Sequence, residues 1–186
     1  MGRLKKLDTI DTKTLHRNPC WEYRLDSYAL PGGGAGEYYY LHSPGSAMVV
    51  PVDENGTLVL VNQFRYLWKR ESMEFPGGGM KEADPFVAAM NELAEEAGLA
   101  ASDWKFVAEY NPFNGATDEI ARVYFASGLT AAKKDKDASE EFEIVKMSVP
   151  EFEAAVGSGE IWDGMTLAAW MVARATVLDY ISTLGE

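Results

Sequence analysis

The stretch that decides the fold is PGGGMKEADPFVAAMNELAEEAGL, which runs from Pro76 to Leu99. The pair Asp84–Pro85 is typical of a helix start, because an Asp side chain caps the first amide hydrogens and Pro fits the first helical position. Gly98 is typical of a helix end, where glycine adopts left-handed backbone angles. Apolar residues recur between these two signals at helical spacing, which predicts that one face of the helix packs inward.

Three glutamates, Glu92, Glu95 and Glu96, lie near the end of this predicted helix. Glu92 and Glu96 are four residues apart and are therefore neighbours on one face, where like charges repel each other by roughly a few tenths of a kcal/mol. A divalent cation would offset this repulsion. Mg2+ prefers a few carboxylates together with water and substrate phosphate oxygens, so the helix predicts a metal site.

The run NELAEEAGL, residues 91–99, resembles the second half of the Nudix box, a family motif written GX5EX7REUXEEXGU with U for an apolar residue. The match runs without a break from Glu92 to Leu99. The resemblance implies a Mg2+ or Mn2+ cofactor held by Glu92 and Glu96. It also implies that Glu95 holds a second ion or orients the attacking water, and that the carbonyl of Gly77 is a further metal ligand.

Two positions depart from the family motif. The Arg of the motif is Asn91 here, and its first Glu falls at Ala83. Counting the loop from Gly78 makes it one residue short, which leaves Glu82 or Asp84 as a substitute for the missing carboxylate. We interpret the departures as a weakened accessory pair of charges beside an intact set of metal-binding glutamates.

The N-terminal part of the chain predicts a β-hairpin. Residues 21–28 alternate loosely as a strand does, residues 37–42 form a second strand, and PGGG at residues 31–34 is typical of a turn. A lone hairpin is marginally stable in water, so we expect it to pack on the main body or on another subunit. Residues 1–17 are polar and predict no particular element.

This hairpin resembles the N-terminal region of the ADP-ribose and nucleotide-sugar pyrophosphatases within the Nudix superfamily. The resemblance implies a homodimer in which each subunit contributes an aromatic side chain to the base pocket of its neighbour. Trp21 is the candidate for that stacking role. The alternative is that Trp21 belongs to the core of the hairpin.

The rest of the chain predicts an α/β domain built on the helix that ends at Gly98. Apolar or alternating segments predict further strands, and two later segments predict helices. The expected strands are residues 46–51, 57–64, 104–110, 120–126 and 144–149, and the expected helices are residues 150–156 and 165–182.

Three further residues are assigned to substrate binding by resemblance. The segments around Arg65 and Glu74 resemble the run Q-Y-R-Y … E-L-P-A-G of the same subfamily, which implies that Arg65 contacts a substrate phosphate. Glu74 would turn inward to bond a base or to steady the loop. Residues 111–119 resemble S-P-G-x-T-D-E, a segment near the terminal sugar, so Glu119 would touch the metal or the substrate, or cap its own loop.

Residues 129–143 predict a charged loop that ends in several acids. Such charge runs are usually solvated. In similar enzymes, however, this loop supplies a glutamate that acts on the attacking water. The resemblance therefore implies Glu141 as the general base, with Glu140 as second choice.

Composition excludes several classes of protein. The formal charge is −12, from 17 basic and 29 acidic residues, and no basic stripe is visible, so we expect no nucleic-acid partner. No apolar run is long enough to cross a bilayer, and the N-terminus lacks the apolar core of a signal peptide. The single cysteine, Cys20, fits a reduced compartment, and we expect a cytoplasmic protein.

These observations predict a Nudix α/β/α sandwich with a mixed sheet and an N-terminal antiparallel β-hairpin extension. We expect the extension to cover residues 1–45 and the hydrolase domain residues 46–186. The expected function is Mg2+-dependent hydrolysis of a nucleoside diphosphate sugar, ADP-ribose first. The alternatives are a pyrophosphatase for other nucleotide sugars such as GDP-mannose, and a nucleotide-sugar-binding module without catalysis.

Overall fold

The computed structural model describes residues 4–80, 84–132 and 141–185, and these ranges contain ten strands and three helices. The strands are β1 (Thr9–Arg17), β2 (Glu22–Ala29), β3 (Ala35–His42), β4 (Ser46–Pro51), β5 (Leu58–Arg65), β6 (Arg70–Glu74), β7 (Gly77–Gly79), β8 (Leu99–Tyr110), β9 (Ala121–Ala131) and β10 (Glu143–Met147). The helices are α1 (Pro85–Ala97), α2 (Val149–Ser158) and α3 (Gly164–Thr183). None of the helices in the described ranges is long and apolar enough to cross a membrane.

The N-terminal extension is a sheet of three antiparallel strands in the order β1-β2-β3. The predicted hairpin is present as β2 and β3, and β1 is an additional strand in a region for which the sequence predicted no element. Every residue of β1 is exposed, so it lacks the apolar alternation that marks a half-buried strand. Its backbone pairing with β2 makes it a strand.

Backbone and side-chain contacts join this extension to the loop that precedes β9. The N–H of Leu41 donates to the carbonyl of Ala116 at 2.8 Å, and the N–H of Asp118 donates to the carbonyl of Leu41 at 3.2 Å. The hydroxyl of Tyr38 donates to the carbonyl of Gly115 at 2.9 Å. The extension therefore contacts the segment that was expected to lie near the terminal sugar of the substrate.

The main body contains two further sheets. One has the order β10-β5-β6 and is antiparallel. The other has the order β7-β4-β9-β8, in which β4 and β9 are parallel and the remaining pairs are antiparallel. The predicted mixed sheet is thereby confirmed.

The core lies on both faces of β4, whose residues are all buried. Ala47 and Val49 pack with Leu93 of α1, whereas Met48 and Val50 belong to a second cluster that includes residues of α2 and α3. Alternate residues of a strand point to opposite faces, so β4 is covered by helices on both sides. This is the α/β/α sandwich that the sequence predicted.

Helix α1 begins and ends where the sequence signals predicted. The carboxylate of Asp84 accepts the N–H of Phe86 at 2.9 Å, and Pro85 is the first helical residue. Gly98 adopts left-handed angles with φ 65°, and its N–H donates to the carbonyl of Ala94 at 3.2 Å. Capping interactions therefore determine where the helix that carries the three glutamates begins and ends.

Two predicted boundaries are wrong. The strand expected from Trp104 begins at Leu99, because the chain reverses at Gly98 and pairs at once with β9, Leu99 lying opposite Ala131. For the same reason the charged loop does not begin at Leu129, since β9 continues to Ala131. Both errors reflect strand pairing, which exposed and weakly alternating residues do not signal.

Candidate active site

Two glutamates of α1 reach the glycine strand β7. The N–H of Gly77 donates to Oε2 of Glu96 at 2.9 Å, and Glu96 is buried. A Cβ atom added at Gly78 would lie 2.7 Å from Oε1 of Glu92. The glycines of β7 thus allow two carboxylates to lie directly against the backbone.

The carboxylate oxygens of Glu92 and Glu96 beside β7 are ligands suited to a hard divalent cation. Among residues 4–80, 84–132 and 141–185, no three carboxylate, imidazole or thiol side chains are grouped closely enough to form a complete metal site. Mg2+ does not require such a group, because it commonly binds through one or two carboxylates, several waters and substrate phosphates. Glu92 and Glu96 would supply those carboxylates. The half-buried Glu95 and the carbonyl of Gly77 remain predicted ligands.

Arg65 and Glu74 form a two-point ion pair between β5 and β6. Nε of Arg65 donates to Oε1 of Glu74 at 2.7 Å, and Nη2 donates to Oε2. The side chain of Glu74 is only 4% exposed, while that of Arg65 is 45% exposed. The hydrogen bonds that Arg65 donates to Glu74, together with the negative charges of Glu74, Asp163 and Glu96, raise the pKa of Arg65 despite partial burial. Arg65 therefore remains a cation with its geometry fixed.

The structure brings five predicted residues together around one cavity of about 370 Å³. They are Trp21, Arg65, Glu74, Gly77 and Glu119. These residues come from four separate parts of the chain, so their common location is a result of the tertiary fold. The cavity adjoins the β7 face on which Glu92 and Glu96 lie.

Glu119 is held at the cavity by two neighbouring side chains. The hydroxyl of Ser46 donates to Oε1 of Glu119 at 2.6 Å. Nδ2 of Asn111 donates to the carbonyl of Glu119 at 2.8 Å and to that of Thr117 at 3.2 Å. The loop that carries Glu119 is therefore closed by side-chain hydrogen bonds, and Glu119 is one of the residues that line the cavity.

Trp21 lies in the turn between β1 and β2 and is 38% exposed. Oδ1 of Asn18 accepts the N–H groups of Cys20 at 2.8 Å and of Trp21 at 2.9 Å, which fixes the turn. The rings of Trp21 and His16 are arranged edge to face, with 6.4 Å between their centroids. Trp21 thus lines the cavity of its own chain, whereas the resemblance implied a place in the base pocket of the neighbouring subunit. Its stacking role stays a prediction.

Sequence reasoning missed Asp163, which also lines the cavity. Its carboxylate caps α3 by accepting the N–H of Thr166 at 2.7 Å. The nearby phenol of Tyr110 donates to the carbonyl of Met165 at 3.1 Å, and burial, with the charges of Asp163 and Glu119, raises the pKa of Tyr110. The spacing Asp-x-x-Thr signals a helix cap, but it does not signal that the cap faces a substrate site.

The structure does not place the predicted general base among the residues that line the cavity. Glu141 is exposed and lies two residues before the start of β10, and Glu140 lies outside the described residues. Glu143 pairs with Asn62 in an antiparallel register, so Glu141 lies toward the Arg65 end of β5. Its catalytic role remains a prediction.

Comparison with known proteins extends these observations. The NUDIX domain family matches residues 42–165. The chain is 32% identical to an ADP-ribose pyrophosphatase of Mycobacterium tuberculosis, over 93% of this chain and 86% of that protein. It is 27% identical to a methanol dehydrogenase activator of Bacillus methanolicus, over 91% of this chain and 93% of the relative. Relatives of similar identity therefore differ in their described roles.

A solved structure described as an ADP compounds hydrolase has the same fold. The TM-score is 0.84, with 97% of this chain and 98% of that chain covered, at 16% sequence identity. Identity at this level supports the fold alone. The shared fold includes nearly the whole chain and therefore the N-terminal extension as well.

Proposed function

Because the chain belongs to the Nudix family of hydrolases, we propose that it hydrolyses the pyrophosphate bond of a nucleoside diphosphate sugar, with ADP-ribose as the first candidate. The products would be a nucleoside monophosphate and a sugar phosphate, which for ADP-ribose are AMP and ribose 5-phosphate. One observation carries the proposal: a cation, an aromatic ring and a carboxylate, from Arg65, Trp21 and Glu119, line a cavity beside the glutamates of α1.

Each of these side chains suits one part of such a substrate. The guanidinium of Arg65 is held side-on by Glu74, and its remaining edge would bind a phosphate oxygen of the pyrophosphate. The indole of Trp21 would stack on the base. The carboxylate of Glu119 would accept hydrogen bonds from sugar hydroxyls at the opposite end of the substrate.

We propose Mg2+ as the cofactor, with Mn2+ as a substitute. Glu92 and Glu96 would hold it, with Glu95 and the carbonyl of Gly77 as further ligands. Such an ion polarises a phosphoryl oxygen and neutralises the leaving phosphate. The buried Glu96 is bonded to the Gly77 N–H, so the protein itself fixes the position of one carboxylate relative to the cavity.

Glu141 is our candidate for the group that takes a proton from the attacking water, with Glu140 as second choice. General base catalysis of this kind contributes about 10²–10⁴-fold to the rate. The support for Glu141 is its place at the Arg65 end of β5.

We further propose that the protein acts as a homodimer through residues 1–45 and functions in the cytoplasm. The β1-β2-β3 sheet exposes a set of large apolar side chains that a second subunit would cover. These are Ile10, Leu15, Tyr23, Tyr38 and Tyr39. Sedimentation of the full chain and of a chain lacking residues 1–45 would test this assignment.

The proposed function is tested by product release from a panel of substrates. ADP-ribose, ADP-glucose, GDP-mannose and a nucleoside triphosphate are each incubated with the protein, with and without Mg2+. We expect AMP from ADP-ribose only when the metal is present, and the highest kcat/KM for that substrate. Thermal stabilisation by a nucleotide sugar without any product would instead indicate a binding module.

A further inference from the structure

One polar residue lies on the inner face of α3. The buried residues of this helix are otherwise apolar, and they are Ala169, Trp170, Ala173 and Val177. Thr166 occupies the same face and is 0% exposed. Burying a hydroxyl group costs folding free energy unless it is hydrogen-bonded, so we expect the Thr166 hydroxyl to have a hydrogen-bond partner.

The partner of Thr166 is the backbone at a crossing between the two main sheets. Strand β6 ends at Glu74, opposite Val61, and β7 begins at Gly77, opposite Met48. Phe75 and Pro76 therefore connect one sheet to the other. Buried backbone groups at such a crossing lie outside the regular strand pairing, so each of them needs a specific partner.

Each residue of the crossing has one backbone group with a specific partner. The N–H of Phe75 donates to Oγ1 of Thr166 at 3.1 Å, and this contact is buried. The carbonyl of Pro76 accepts the N–H of Val49 at 2.8 Å, and Pro76 has no N–H of its own to satisfy. The Thr166 hydroxyl is thus the acceptor for the backbone N–H of the crossing.

The crossing lies between two contacts of the candidate site. Glu74, one residue before Phe75, holds the guanidinium of Arg65. Gly77, two residues after Phe75, donates its N–H to Glu96. A shift of the backbone at Phe75 would therefore move the phosphate-binding cation and the metal-binding carboxylate relative to each other.

We infer that Thr166 is a positioning residue. By accepting the Phe75 N–H, its hydroxyl fixes the position of the Arg65–Glu74 pair relative to the Gly77–Glu96 contact. Asp163 supports this role, because it caps the first turn of α3 by accepting the N–H of Thr166. The catalytic consequence rests on the proposed function. The structural consequence for the crossing does not.

The test compares Thr166→Val, which removes the acceptor at nearly constant shape, with Thr166→Ser, which keeps it. Thr176→Val is the matched control, since Thr176 lies on the same helix and accepts a hydrogen bond from Lys105 on the surface. Amide hydrogen exchange is measured on the metal-free, substrate-free protein, and kcat and KM are measured at a temperature where every variant is folded.

We expect the Phe75 and Gly77 amides to exchange about tenfold faster or more in Thr166→Val, because a local opening no longer breaks a buried hydrogen bond. We expect kcat/KM to fall by about tenfold or more, since small misplacements of binding groups have large kinetic effects. Thr166→Ser should stay within about threefold of wild type in both measurements, and Thr176→Val should match wild type.

The positioning role is overturned if exchange at the crossing is the same in the Val and Ser variants. It is also overturned if exchange changes while kcat/KM does not, because the hydroxyl would then stabilise the fold alone. Should Thr166→Val not fold, Thr166→Ala against Thr166→Ser isolates the same hydroxyl. If the wild type releases no product from any substrate of the panel, the proposed function is refuted. The amide exchange measurement would still test the structural role of Thr166.

Discussion

The guanidinium of Arg65 is bound side-on by the buried carboxylate of Glu74, with Nε to Oε1 at 2.7 Å and Nη2 to Oε2. The pair joins the last residues of two adjacent strands at the wall of the cavity. Glu74 is the deeper partner, so it depends on Arg65 for its compensating charge. Arg65, which is proposed to bind substrate, therefore also stabilises the folded protein.

This pairing predicts that a double variant at Arg65 and Glu74 recovers stability without recovering activity. Arg65→Met should lower the free energy of unfolding by about 1–3 kcal/mol, because a buried carboxylate loses its partner. Arg65→Met combined with Glu74→Leu should regain most of that loss yet still show kcat/KM lower by about tenfold or more. Arg70→Met, across the hairpin from Arg65, is the control. Normal kcat/KM in the double variant would contradict phosphate binding by Arg65.

A second prediction concerns the close approach of Gly78 to Glu92. An added Cβ would lie 2.7 Å from Oε1 of Glu92, whereas a Cβ at Gly79 would meet nothing within 4 Å. Gly78→Ala should therefore displace the carboxylate and weaken Mn2+ binding by about tenfold or more, measured by calorimetry. Gly79→Ala is the matched control in the same strand. Equal affinities in the two variants would show that Glu92 is not a ligand.

The double change Glu92→Gln, Glu96→Gln should abolish metal-dependent turnover while the fold remains. The amides keep the size of the carboxylates and can still accept the Gly77 N–H, but they lose the charge that holds a cation. We expect kcat/KM to fall by more than about 10²-fold, with an unchanged circular dichroism spectrum. Glu109→Gln, an exposed acid on β8, is the control. Wild-type turnover in the double variant would refute the metal assignment.

The candidate base is tested by Glu141→Gln against Glu143→Gln, two exposed acids on either side of Phe142. If Glu141 takes the proton from water, its amide should lower kcat by about 10²–10⁴-fold with little change in KM. Glu143 lies within β10, so its amide should leave kcat unchanged. A loss of less than about threefold in Glu141→Gln would exclude this residue and direct attention to Glu140.

A pH dependence is predicted for the turn between β4 and β5. Burial acts to raise the pKa of Asp53, but the hydrogen bond from Lys146 and those from the N–H groups of Thr57 and Asn55 lower it overall. A carboxyl with a lowered folded-state pKa stabilises the protein above its ordinary pKa of about 4, and this contribution is lost as the pH falls through the folded value.

Asp53→Asn should accordingly reduce the free energy of unfolding by about 1–2 kcal/mol at pH 7. The difference from wild type should shrink as urea unfolding is repeated below about pH 4. Glu54→Gln, the exposed neighbour, should show no such trend. A constant difference between wild type and Asp53→Asn at every pH would contradict a charged, paired Asp53.

Local sequence signals predicted both ends of α1, but not which of its residues are buried, since Glu96 is buried and Met90 is exposed. Caps and helical periodicity act within a few residues, so Asp84, Pro85 and Gly98 were sufficient for these predictions. The missing strand β1 and the early start of β8 are different cases. Both depend on pairing with the next strand along the chain, β2 for β1 and β9 for β8, and exposed residues do not signal such pairing.

What the sequence by itself determined is the helix with its row of glutamates, and through it the family and the class of chemistry. Only the tertiary structure decided that Trp21, Arg65, Glu74 and Glu119 line one cavity, and that Asp163 joins them. The physical reason is range. A helix and its caps are set by neighbours along the chain, whereas a cavity is set by how sheets and helices pack, and that packing depends on the whole chain at once.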